Sequence, residues 1–187
     1  MVALQDPLTV EKKLKLELRL AQLTKNEECQ ENFLTFVKNL WPDFIAGRHH
    51  FIIAEKLQRV AKGELKRLII NMAPRHTKSE FASFLFPAWM MGRNPKMKII
   101  QATHTTELAV NFGRKTKNLI DSDEYKEIFP SVKLAADSKA SGRWDTSSGG
   151  MYYAVGVGSN LAGRGGDLVI IDDPHSEQTA MSNSGFD

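Results

Sequence analysis

The stretch Ile69-Ile-Asn-Met-Ala-Pro-Arg-His-Thr-Lys-Ser79 sets the reading of the whole 187-residue chain. Residues 67–72 are a short apolar run bounded by charge on one side and by Pro74 on the other, the mark of a buried strand. A polar loop follows, and Lys78-Ser79 opens an apolar helix expected over 79–91. Strand, loop and helix in that order are the build of a phosphate-binding loop. A helix N-terminus offers free N–H groups and the positive end of its dipole, Lys78 can reach terminal phosphates, and the Ser79 hydroxyl can complete a Mg²⁺ shell. The usual pattern is Gly, four residues, Gly, Lys, then Ser or Thr, and here Met72 and Thr77 stand at the two glycine positions. On this segment alone, a chance Lys-Ser after a strand stays open beside the phosphate site.

Downstream, the pattern alternates: a strand over 96–102, then an amphipathic helix over 105–121 carrying Leu108, Phe112, Lys115 and Leu119. Such alternation implies parallel βαβ units. Residues 131–150, rich in Ser, Gly and Asp, read as loop with short strands, and further strands are expected over 151–157 and 167–171. The last of these delivers Asp172-Asp173-Pro174 at its carboxyl end, which is where open α/β sheets bind ligands. In a P-loop ATPase, Asp172 would hold the Mg²⁺ shell and Asp173 would orient and deprotonate the attacking water. An ordinary Asp-Pro turn is the alternative for this motif taken alone. The two motifs occurring in this order favour the ATPase reading.

Upstream, helices are expected over 9–23 with Thr9 as N-cap, over 27–40 up to Pro42, and over 47–63 ending at Gly63. The expected organisation is therefore a helical N-terminal segment, 1–63, followed by an α/β core, 64–187. Composition agrees with a globular chain: 42% hydrophobic and 25% charged residues, net charge +3, and apolar runs far too short to span a bilayer as a helix. Residues 51–100 hold 10 basic and 3 acidic side chains, whereas 151–187 hold 1 and 5, so the middle is suited to phosphate or nucleic-acid contact. The first ten residues lack the basic-then-apolar order of a secretory leader, and the single Cys29 has no disulfide partner, which points to an intracellular protein without membrane contact. No Cys or His spacing makes a zinc site, and Cys29 has no companion that would make it a nucleophile.

From about residue 41 to 174 the sequence resembles the large terminase subunits of tailed bacteriophages, the ATP-driven motors that package DNA into procapsids. The resemblance rests on Lys66-Arg-Leu-Ile-Ile-Asn-Met-Ala-Pro-Arg-His-Thr-Lys-Ser79, Phe86-Pro-Ala-Trp89, Gly92-Arg-Asn-Pro95, Phe112-Gly-Arg-Lys115, Arg143-Trp144, Ala154-Val-Gly-Val-Gly158, Gly163-Arg-Gly165 and Asp167-Leu-Val-Ile-Ile-Asp-Asp-Pro174. It implies a P-loop NTPase of the ASCE or RecA-like kind, with a parallel sheet flanked by helices, ATP and Mg²⁺ as cofactors, and Walker A and Walker B motifs at the two stretches above. Pro74, Arg75, His76, Thr77, Lys78 and Ser79 would line the phosphates, Ser79 and Asp172 would hold the metal, and Asp173 would be the general base. Arg75 resembles the family's P-loop arginine, and Arg164 the finger offered across a subunit interface. His49 and His50 lie where the family contacts adenine, and of these His50 is the candidate.

The family's loop commonly reads Pro-Arg-His-Gly-Lys-Ser, so Thr77 is a departure. A β-branched residue there strains any positive φ. The resemblance also implies double-stranded DNA, a portal protein and a small terminase subunit as partners, a homo-oligomeric ring, and action in the host cytoplasm. The family's coupling motif and nuclease domain are not expected in this chain. A helicase-like or other P-loop ATPase, or a nucleotide-binding module without turnover, are the alternatives.

Overall fold

The computed structural model of the chain describes residues 7–138, 140–159 and 163–175. Three helices come first: α1 (Pro7–Glu31), α2 (Phe33–Leu40) and α3 (Arg48–Ala61). The first break was expected near residue 25 and falls instead at Asn32, whose side chain accepts from the Thr35 N–H at 2.9 Å and so caps α2. The front half of α1 lies exposed, with Leu14, Leu16, Leu18 and Leu20 in solvent. Its rear half docks through Asn26 Nδ2 and Gln30 Nε2, which donate to the carbonyls of Glu127 and Ile128. Those carbonyls end α6 (Asp123–Ile128), a short helix the sequence reading missed although Ser122 caps it.

The sheet is β2-β3-β1-β4, from β1 (Lys98–Thr103), β2 (Arg143–Asp145), β3 (Met151–Gly156) and β4 (Leu168–Asp172). β1 runs parallel to both β3 and β4, and β2 pairs antiparallel at one edge. This is a mixed α/β fold with a mostly parallel sheet flanked by helices. Ile99 and Thr103 of β1 face α5 (Thr106–Asp121) and α4 (Phe86–Arg93), while Ile100 and Ala102 face the other way with Val155 and Tyr153. One aromatic core joins Phe33 and Phe36 of α2 to Phe81, Phe86 and Trp89, so the helical segment and the later chain are packed as one body across residue 63.

Two expectations near the loop need correction. The segment 67–72 forms no strand: among the described residues, its backbone pairs with no other backbone group. Its side chains still alternate, with Leu68, Ile70 and Met72 packed against the core and Arg67, Ile69 and Asn71 exposed, so the period of a strand is present without a ladder. The single helix expected over 79–91 is instead a π-helical turn, Glu80–Leu85, continued by α4. Pro87 supplies the cause. It has no N–H to give the Ser83 carbonyl, and the ladder widens so that the Phe86 N–H bonds the Phe81 carbonyl.

α5 lies close to the sheet because Gly113 has no side chain: a Cβ there would stand 2.5 Å from the Ser141 carbonyl oxygen and 3.1 Å from the Tyr152 ring. The Trp144 indole N–H bonds the Gly113 carbonyl at 3.1 Å, fixing the same approach. Gly113→Ala tests this with opposed signs. Helix propensity alone would stabilise the variant by about 1 kcal/mol, whereas overpacking costs roughly 1–3 kcal/mol. Urea denaturation is expected to show net destabilisation.

Candidate functional site

The carboxyl ends of β1 and β4 open toward the polar loop that the sequence singled out. Asp172 closes β4 opposite Thr103 and is buried on the helix-covered face, whereas Asp173, at φ 43°, turns its side chain into solvent. Because Asp173 leaves the extended conformation, the two adjacent carboxylates, one buried and one exposed, both approach the same lysine. Ser83, on the π-helical turn, donates to Asp172 Oδ2 at 2.8 Å. Lys78 Nζ reaches Asp173 Oδ1 at 2.6 Å and lies 3.8 Å from Asp172 Oδ1. A hydrogen bond to a buried charged group contributes on the order of 1.5–3 kcal/mol, while the Asp173 pair, largely solvated, adds little to stability. Its importance is positional. The ammonium group stands between the two carboxylates.

The loop is held from the other side by α3. Gly47 N–H donates to His50 Nδ1 at 2.9 Å, the return contact of an N3 side chain to its N-cap. Because Nδ1 accepts, the hydrogen of the neutral ring is on Nε2, which lies 2.6 Å from Thr77 Oγ1 and donates to it. The Thr77 hydroxyl donates onward to the His76 carbonyl at 2.7 Å. Phe44 meets the His50 ring edge-on and Phe81 lies tilted beside it, leaving it buried. With both nitrogens engaged and the ring enclosed, His50 serves the loop here rather than presenting an open surface to adenine. Thr77 has φ 60°, the strain its β-branch was expected to meet at a glycine position, and Arg75 has φ 64°. Such conformations cost on the order of 1–3 kcal/mol each; the two hydrogen bonds at Thr77 Oγ1 offset a comparable amount at about 1 kcal/mol apiece.

Other expected site residues are placed less tightly. His76 Nδ1 donates to the Pro74 carbonyl at 2.8 Å and the ring is exposed. Ser79 is half-buried just ahead of the π-helical turn, and Arg75 is exposed without an ion pair among the described residues. Arg164 is not brought to the loop: its guanidinium lies 4.2 Å over the Tyr153 ring, on the sheet face away from Ser83. Ser83 and Gly47 are the participants that sequence reasoning missed. Ser83 lies four residues beyond Ser79, a spacing that could have marked it.

The oxygen donors Asp172, Asp173 and Ser79 are of the kind Mg²⁺ takes, namely one or two carboxylates completed by substrate phosphates. Among the described residues no cluster of three or more His, Cys, Asp or Glu side chains could hold a metal unaided, and no helix is long and apolar enough to cross a membrane. No protein-family model and no curated protein matches the chain.

Burial, and then the neighbouring rings of His49 on α3 and His76 on the loop, pushes His50 below the ordinary imidazole value of 6.5. The unfolded chain therefore takes up this proton first as pH falls. The contribution of neutral His50 is complete above pH 6.5 and declines below it. The melting temperature is expected to drop between pH 7.5 and 5.5, and to drop less in His50→Gln, which keeps His49 and His76 but has no imidazole at position 50.

Proposed function

We propose that the chain is the ATPase part of a viral DNA-packaging motor of the terminase type, hydrolysing ATP with Mg²⁺ to drive double-stranded DNA into a procapsid. The observation that supports this most is the meeting of Lys78, from a loop that leads into a helix, with Asp172 and Asp173 at the carboxyl end of a parallel strand. A P-loop NTPase needs these three charges in one place, and chance does not readily bring a Lys-Ser and an Asp-Asp together across 95 residues of chain.

In this reading Lys78 exchanges its carboxylate partners for the terminal phosphates, and the N–H groups at the start of the π-helical turn face the same phosphates. Mg²⁺, when bound, neutralises charge on the phosphate oxygens. Ser79 and Asp172 would hold it, with Ser83 fixing the Asp172 carboxylate. Asp173, freed from Lys78, orients the attacking water and accepts its proton. Arg75 stands in the loop to meet charge developing on the transferred phosphoryl group, and Arg164 is the arginine offered to a neighbouring subunit of a homo-oligomeric ring. The partners of this reading are double-stranded DNA, a portal protein and a small terminase subunit, and its place of action is the host cytoplasm.

A second reading, a nucleotide-binding module without turnover, is favoured by one feature. The Lys78–Asp173 contact at 2.6 Å occupies both the lysine and the general base. Phosphate release from the full chain separates the two readings.

Lys78→Ala is expected to abolish ATP hydrolysis with the fold retained, because Ser83 still donates to Asp172 and the ammonium contributes little to the core. Turnover at the parent rate would remove the P-loop assignment. The carboxylates divide differently: Asp173→Asn should keep Mg²⁺-dependent ATP binding and lose hydrolysis, whereas Asp172→Asn should weaken the Mg²⁺-dependent binding itself. Calorimetric titration with and without Mg²⁺, beside phosphate release, reads both.

A further inference from the structure

We propose that His50 is a positioning residue for the phosphate loop, holding Thr77 in the left-handed conformation that a glycine would adopt unaided. The inference rests on reading the loop as a phosphate site, and it makes α3 part of that site.

Thr77 occupies the position before Lys78, where the direction of the peptide decides whether the following N–H groups converge on one anion. At φ 60° a β-branched residue does not stay by its own preference. Two contacts hold it, one of them from outside the loop. His50 Nε2–H donates to Thr77 Oγ1, and the same hydroxyl donates to the His76 carbonyl, so the side chain is pinned to its own preceding peptide and to a helix 27 residues upstream. His50 is itself fixed, through Nδ1 to Gly47 and by the enclosing rings of Phe44 and Phe81. A glycine at 77 would need no such support, and a valine, with the same branching, could not receive it. The clamp runs between the helical segment and the core, so a chain cut at residue 63 would lose it.

The discriminating pair is His50→Gln and His50→Asn in the full chain. Gln extends far enough to put an N–H where Nε2–H stands; Asn can still accept from Gly47 but is too short to reach Thr77. Each is made with Thr77 and with Thr77→Gly. The first readout needs no ligand. The three-bond coupling between the amide and Hα protons, with the Cα and Cβ shifts, reports φ at residue 77 by NMR, and the parent and His50→Gln should keep it positive while His50→Asn releases it. The second is Mg²⁺-ATP affinity. With Thr77 present, His50→Asn should bind about tenfold more weakly than His50→Gln, a difference of about 1.4 kcal/mol; with Thr77→Gly the two should agree.

If His50→Asn does not fold, Thr77→Val, which leaves α3 untouched, is read by the same coupling and should also lose the positive φ. Equal φ and equal affinity in the Gln and Asn variants would overturn the proposal, as would an equal loss in the Thr77 and Thr77→Gly backgrounds. If the parent binds no Mg²⁺-ATP, the phosphate-site reading fails, while the ligand-free coupling still decides whether His50 holds residue 77.

Discussion

A carboxylate cannot be buried without something to satisfy it, and Asp172, at 7% exposure, is the point from which the rest of this site is arranged. β1 on one side delivers Thr103 beside it, and the π-helical turn brings the Ser83 hydroxyl over it. Lys78 then supplies the opposite charge at the mouth. Each of these contacts depends on another part of the chain being in place. Pro87 widens the turn that carries Ser83, the loop carries Lys78, and the parallel pairing of β4 with β1 sets the depth of the carboxylate. The arrangement is therefore a tertiary one, with little of its geometry fixed by local propensity.

The same dependence explains the unpaired segment ahead of the loop. Leu68, Ile70 and Met72 pack inward and keep the alternation of a strand, but their backbone has no ladder, and Ile69 stands 93% exposed. β4 likewise exposes Val169 and Ile171 and has a single described neighbour. Apolar side chains beside unpaired amides are costly at a sheet edge. Here the inward side chains anchor the segment, so hydrophobic burial and not strand pairing positions the start of the loop.

Much of this was legible in the sequence. The alternating strands and helices after residue 96, the carboxyl-terminal Asp pair and the helix end at Gly63 come from local patterns, and they recur within a few residues. The strain at Thr77 was also legible, because a β-branched residue stood where the loop pattern calls for glycine. Its remedy was not. His50 lies 27 residues away on another element, and no period or motif links the two. The ladder for 67–72 was inferred from composition, which reports side-chain burial and is silent about pairing partners. The π-helical turn had a visible signal in Pro87, overridden by the continuous apolar run around it. Arg164 was read toward a neighbouring subunit's site, and within this chain it stacks on Tyr153 across the sheet.

The most direct measurement is an amide NMR titration of the full chain with Mg²⁺-ATP, followed by Mg²⁺-pyrophosphate. The account predicts that the largest shifts fall on residues 75–79 and on Asp172 and Asp173, and that pyrophosphate alone reproduces those in the loop. Shifts confined to another surface, such as the groove of about 410 Å³ between α2 and α3 lined by Phe51 and Lys38, or no shifts at saturating nucleotide, would contradict it.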